Sequence, residues 1–121
     1  MPQRVVMVVE DEASQRVSLI EFLEWKGYQV KAFSSGRDAV DWLESSSEPL
    51  DAAVVDWHLP GVGGEGVIEM IRRRHADLPV IVASGSPLSA LERRHGQWSR
   101  ALRKPFSLRK LSELLGELLH D

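Results

Sequence analysis

Two apolar runs in this 121-residue chain end in carboxylates. Val5-Val6-Met7-Val8-Val9 leads into Glu10-Asp11-Glu12, and Ala52-Ala53-Val54-Val55 leads into Asp56. An unbroken apolar run of this kind reads as a strand covered on both faces. A carboxylate at its end sits at the strand's C-terminal edge, where open parallel α/β sheets bind their ligands. If the two strands are neighbours, Glu10, Asp11 and Asp56 converge. Carboxylates packed so closely repel one another unless a cation lies among them. A small all-oxygen set suits Mg²⁺ (or Mn²⁺), which keeps several of its waters. Two further predicted strands end in groups that can meet an anion: Val80-Ile81-Val82-Ala83 in Ser84, and residues 99–103 in Lys104.

The elements that must position these groups alternate along the chain. Residues 4–9, 28–33, 51–55, 80–83 and 99–103 read as strands. The second is half-polar, as suits a place nearer a sheet edge, and the fifth has the weakest pattern. Residues 13–26 read as a helix on the clustering of Val17, Ile20, Phe22 and Leu23, with Gly27 as its stop. Ser34-Ser35-Gly36 opens a second helix carrying Ala39, Val40, Trp42 and Leu43. Pro60-Gly61-Val62-Gly63-Gly64 reads as a flexible turn. The helix after it, to about His75, turns Val67, Ile68 and Ile71 inward and Arg72-Arg73-Arg74 largely outward. Ser86-Pro87 supplies an N-cap and first-turn proline for a short helix ending near Gly96. Ser107 caps a last helix rich in leucine. Five β-α units with right-handed crossovers predict a parallel sheet with helices on both faces. No internal repeat or linker interrupts them.

Length fits one domain with one core. A hydrophobic share of 43% against 27% charged residues places the chain among ordinary globular proteins. A net charge of −3 gives no global pull toward nucleic acid or anionic membrane. The absence of cysteine excludes thiolate metal sites and disulfides. The first apolar run is too short for a secretory leader, and nothing approaches a membrane span, so a soluble cytoplasmic protein is the expectation.

In order and spacing, the whole chain closely resembles the receiver domain of two-component response regulators. The resemblance rests on Glu10-Asp11-Glu12, on Asp56-Trp57-His58-Leu59-Pro60 with Gly64 eight residues after Asp56, on Ser84, and on Lys104-Pro105-Phe106. It implies one receiver domain over residues 1–121. The implied fold is a three-layer (βα)5 flavodoxin-like sandwich with sheet order 2-1-3-4-5. It also implies that Asp56 is the phosphoacceptor, and that Asp11, Asp56 and the His58 backbone carbonyl ligate Mg²⁺. Glu10 would reach the metal through water, and Ser84 and Lys104 would hold phosphoryl oxygens. The implied donor is a histidine kinase or histidine phosphotransfer protein. The implied output is a protein target docked through residues 84–121, with a monomer or weak dimer as the assembly. Beyond self-phosphorylation and self-dephosphorylation at Asp56, no enzyme activity follows from the resemblance.

Elementary chemistry agrees with these roles. An ionised carboxylate can form an acyl phosphate, provided positive charge and donors meet the equatorial phosphoryl oxygens. Competing readings are weaker. Asp56-Trp57-His58 faintly resembles the Asp-x-Asp motif of haloacid-dehalogenase-type phosphatases. His58 replaces the second Asp there, and the order of the motifs is reversed. A flavin phosphate would be repelled by Glu10-Asp11-Glu12. The glycine turn lacks the Gly-Lys-Ser/Thr ending of a phosphate loop. Glu12 reads as an acid favouring the helix N-terminus. His75, His95 and His120 read as surface residues, and Trp25 and Trp42 as packed helix residues. Arg93, Arg94, Arg100, Arg103, Arg109 and Lys110 suggest a protein docking surface without nucleic-acid contact. In the resembled family, the positions of His58 and Ser86 tune loss of the phosphoryl group. One position departs from that family: Ala101 stands where it usually has a switching Tyr or Phe, with Trp98 nearby. A degenerate receiver that only docks remains the alternative.

Overall fold

The computed structural model describes residues 3–86 and 98–120. The helix expected between Pro87 and Gly96 lies outside them, as do Arg93, Arg94 and His95. The described elements are β1 (Val5–Val9), α1 (Ala13–Trp25), β2 (Gln29–Phe33), α2 (Gly36–Ser45), β3 (Ala52–Asp56), α3 (Gly63–Arg74), β4 (Val80–Ser84), β5 (Arg100–Arg103) and α4 (Leu108–Leu119).

The strands form one parallel sheet in the order β2-β1-β3-β4-β5. Side chains alternate across it and separate two apolar layers. Met7, Val9, Ala53, Val55, Val80 and Val82 face α2 and α3, meeting Ala39, Leu43, Val67, Ile68 and Ile71. Val6, Val8, Ala52, Val54 and Ile81 face α1 and α4, meeting Leu19, Leu23, Leu111 and Leu115. This is the flavodoxin-like three-layer arrangement, and it explains why β1 is apolar throughout and β3 and β4 are apolar up to their last residue. The half-polar β2 is an edge strand as expected, and so is β5. Leu111 and Leu115 are fully buried. Cutting such a side chain to Ala typically costs about 2–5 kcal/mol.

Helix starts follow local capping. The Ser35 Oγ accepts from the Asp38 amide at 3.1 Å, and the Ser107 Oγ from the Lys110 amide at 3.0 Å. Glu12 is the N-cap of α1 rather than a first-turn residue: its carboxylate accepts from the Ser14 and Gln15 amides. Those contacts, led by the Ser14 hydroxyl, hold the Glu12 carboxyl below its ordinary value.

Several expectations require correction. In α1 the buried pair is Leu19 and Leu23, one turn apart, whereas Val17 is 48% exposed and Trp25 79% exposed. Two residues are more than half a turn on a 3.6-residue helix, so Val17 points away once Leu19 is inside. Trp25 instead lies against Phe22 and Lys26 at the helix surface. Arg72 is not outward. It is half-buried and donates to the Leu78 carbonyl at 2.7 Å, tying the end of α3 to the approach to β4. His75 is half-buried as the C-cap of α3. Helix α3 begins at Gly63, inside the segment expected to be a turn.

That early start matters for the site. Helix α3 has no side-chain cap. Its entrance is tied to the end of β3 instead, by the Gly64 amide donating to the Trp57 carbonyl at 3.1 Å. A Cβ on Gly64 would press on the Asp56 carbonyl and lie 2.6 Å from the Trp57 Cα. Only glycine allows that approach. Gly64→Ala is therefore expected to destabilise the fold by about 1–3 kcal/mol, the usual penalty for overpacking. A urea unfolding curve against wild type measures it.

Candidate functional site

Register brings the strand ends to one edge. Val9 lies opposite Val55, Asp56 opposite Ala83, and Ser84 opposite Arg103. The residues that follow therefore share one crevice. The expected convergence is present: carboxylate oxygens of Glu10, Asp11 and Asp56 all lie within 4.8 Å of one another.

Glu10 and Asp56 are buried, at 3% and 6% exposure, while Asp11 is exposed. Lys104 crosses from the end of β5 to meet the two buried ones. Its Nζ donates to Glu10 Oε1 at 2.7 Å, to Asp56 Oδ2 at 3.1 Å and to Gln15 Oε1 at 3.1 Å. An ammonium has three N–H donors, so each has one partner. The other carboxylate oxygens meet backbone: the Glu12 amide donates to Glu10 Oε2 at 3.1 Å, and the His58 amide to Asp56 Oδ1 at 3.1 Å.

Burial pushes the Glu10 carboxyl above its ordinary value, with help from the Asp56 charge. Hydrogen bonds from Lys104 and the Glu12 amide oppose the shift without cancelling it. Burial also acts to lower Lys104, but its hydrogen bonds and charge contacts with Glu10 and Asp56 prevail, and its pKa is raised. The ammonium is thus firmly protonated at neutral pH. Three acidic side chains meet one ammonium in the crevice, so acidic groups outnumber the basic one. The donor set, its spacing and that balance fit a divalent cation.

Ser84 ends β4 with its side chain fully buried. Its carbonyl accepts from the Lys104 amide at 2.8 Å, which fixes the two residues side by side. Its hydroxyl accepts from the Ser86 amide at 3.0 Å and lies 3.1 Å from His58 Nε2. The same ring nitrogen lies 2.9 Å from the Ser86 hydroxyl. The His58 backbone meets the cluster through its amide, which donates to Asp56.

Trp57 and Trp98 pack edge to face, with ring centroids 5.6 Å apart. Both lie against the core layer that Ala101 also touches. Sequence reasoning gave no role to Gln15 or Arg16. Gln15 contacts Lys104, and the Arg16 guanidinium donates to the Glu10 carbonyl at 2.9 Å. The available signal was spacing: Gln15 follows Asp11 by four residues, one turn into a helix that starts at the cluster.

The chain is a doubly wound α/β domain whose parallel sheet carries, at its C-terminal edge, a lysine and an acidic cluster consistent with divalent-metal coordination. Residues 6–116 match the response regulator receiver domain family, and the chain belongs to it. It is 37% identical over 122 residues to the response regulator MprA of Mycolicibacterium vanbaalenii, covering 98% of this chain and 51% of that protein. It is 31% identical over 116 residues to the sensor kinase CckA of Brucella abortus, covering 94% of this chain and 12% of that protein. The chain thus spans about half of the one relative and a small part of the other. Among solved structures it is similar to the response regulator TrrA of Thermotoga maritima in complex with Mg²⁺-BeF. The TM-score is 0.83 and the identity 25%, over 97% of this chain and 100% of that one. Among the described residues, no helix is long and apolar enough to cross a membrane.

Mg²⁺ titration is expected to change tryptophan fluorescence saturably, through Trp57 beside Asp56. Asp11→Asn should weaken binding by at least about tenfold, since even outer-shell partners of a metal are worth that much. Trp57→Phe should remove most of the signal, which would show that Trp57 is the reporter.

Proposed function

We propose that residues 1–121 form a phosphoacceptor domain that takes a phosphoryl group on Asp56 from a histidine kinase or histidine phosphotransfer protein. The observation that carries the reading is the Asp56 carboxylate, held at the end of β3 between the His58 amide and the Lys104 ammonium. In the transfer, an Asp56 carboxylate oxygen bonds to phosphorus as the bond to the donor nitrogen breaks. The donor imidazole keeps that electron pair. Lys104 and the Ser84 hydroxyl would turn to the phosphoryl oxygens, where preorganised charge and donors act most strongly. Asp11 and Asp56 would hold Mg²⁺ (or Mn²⁺) together with the His58 carbonyl, and Glu10 would hold it through water. When bound, the cation supplies charge neutralisation between the carboxylates and the incoming phosphate. The Mg²⁺-BeF complex of TrrA supports the analogy.

On this reading Asp56 turns over only its own acyl phosphate, in the cytoplasm. The output is a change in a protein-docking surface within residues 84–121. Ala101 leaves no ring to rotate on β5, so the signal would leave through Ser84 and the chain that follows it, with the Trp57–Trp98 pair alongside.

Acetyl phosphate with Mg²⁺ is expected to add one phosphoryl group, read by intact-mass spectrometry. Asp56→Asn should abolish the addition, because an amide is not a nucleophile. Lys104→Ala should slow it by about 10²–10³-fold, the usual weight of one preorganised electrostatic contact. Stable phosphate on a different residue of Asp56→Asn would refute the assignment. Backbone NMR with and without beryllium fluoride tests the route of the signal. Shifts are expected to be larger over residues 84–95 than over 99–103. Changes confined to Asp56 and its neighbours would favour a domain that only docks.

A further inference from the structure

We propose that the His58 imidazole is a positioning residue that restrains the Ser84 hydroxyl in the resting domain, and that phosphoryl binding must draw Ser84 away from it. The inference rests on the phosphoacceptor reading and extends it to a side chain with no place in the transfer itself.

The geometry is a three-atom cluster. His58 Nε2 lies 3.1 Å from the Ser84 Oγ and 2.9 Å from the Ser86 Oγ. One ring nitrogen offers either one proton or one lone pair, so it cannot serve two hydroxyls equally. Ser84 and Ser86 therefore compete for it. The two hydroxyls are not equivalent. Ser84 is fully buried, and its oxygen already accepts from the Ser86 amide at 3.0 Å. Ser86 is half-buried and His58 is exposed, so both can also reach water.

Ser84 is fixed next to Lys104 through its own carbonyl, 2.8 Å from the Lys104 amide. That bond holds the Ser84 backbone beside the Lys104 backbone while its hydroxyl changes partner. Moving to a phosphoryl oxygen gives up two contacts of the Ser84 Oγ, the one with His58 and the hydrogen bond it accepts from the Ser86 amide, for one new bond. The Ser86 hydroxyl stays within reach of Nε2, so the imidazole keeps a partner after the exchange. This arrangement sets a small, fixed cost on phosphoryl binding. It also makes His58 and Ser86 report whether Ser84 has moved.

The test is a double-mutant cycle on beryllium fluoride affinity at saturating Mg²⁺, measured by calorimetry. The proteins are wild type, His58→Phe, Ser84→Ala and the double variant. Phenylalanine keeps a ring over the site and removes the hydrogen bond. His58→Phe is expected to bind beryllium fluoride about three- to tenfold more tightly than wild type, the weight of one modest hydrogen bond. In the Ser84→Ala background the same substitution should change nothing. Equal or weaker binding by His58→Phe, or an equal gain in both backgrounds, would overturn the inference. A second measurement avoids any folding defect in the variants. In wild type the His58 Nε2 ¹⁵N resonance should shift on beryllium fluoride addition at fixed pH and saturating Mg²⁺, and an unmoved resonance would count against the exchange. A wild type that binds no beryllium fluoride would overturn the phosphoacceptor reading and this inference together. Binding without coupling in the cycle would overturn the inference alone.

Discussion

The Lys104 ammonium is what allows Glu10 and Asp56 to be buried a few ångströms apart. Two carboxylates removed from water repel each other and lose hydration. Here each has one oxygen on Lys104 and one on a backbone amide. Asp11 stays at the solvent side of the same cluster. The result is an acidic crevice that is only partly neutralised by its own side chains. A site in this condition is consistent with divalent-cation binding, and its Asp56 carboxylate is already oriented. Burial raises the Glu10 pKa against the pull of Lys104, whereas the two carboxylates raise the Lys104 pKa against its own burial.

The sheet holds these charges in place. Lys104 arrives at the end of β5, the edge strand least suited by sequence to a sheet, with Leu102 its buried member. The Lys104 amide binds the Ser84 carbonyl, so the cation and the hydroxyl are set by one backbone hydrogen bond. On the other side, α3 starts directly on the Trp57 carbonyl, at a glycine with no room for a methyl group. Both arrangements place functional groups on backbone that is anchored in a packed core. Little reorganisation of the crevice is then needed when charge enters it.

The departure at Ala101 changes how such a domain would pass a signal outward. With a small side chain on β5, an aromatic contact to the segment after Asp56 is made by Trp98 on Trp57, just ahead of that strand. Ser84, Ser86 and His58 form the other connection between the crevice and the chain after β4. Both connections start within two residues of Asp56. That proximity is the physical reason for expecting the segment after β4 to sense the site's occupancy.

The strand ends were legible in the sequence because a run buried on both faces must be apolar throughout, so the first charged residue marks its edge. Val9-Glu10 and Val55-Asp56 show this plainly and mark Glu10, Asp11 and Asp56; Ser84 follows the apolar run of β4, whereas Lys104 was marked by the family resemblance of Lys104-Pro105-Phe106, because β5 itself begins and ends in arginine. The sheet order followed from the family resemblance carried by those same residues. Helix facing was less legible. In α1 apolar residues occur all around the helix, so the pattern found Leu23 but took Val17 with it and missed Leu19; packing against β1 and α4 makes that choice. Arg72 looked like one of three solvated arginines until the turn before β4 brought the Leu78 carbonyl to it. The contacts of Gln15 with Lys104, and of His58 with Ser84 and Ser86, join residues 26 to 89 positions apart. Local pattern says which side chains reach a surface. Only the assembled sheet decides which of them meet, because distance in space there is set by strand order and register.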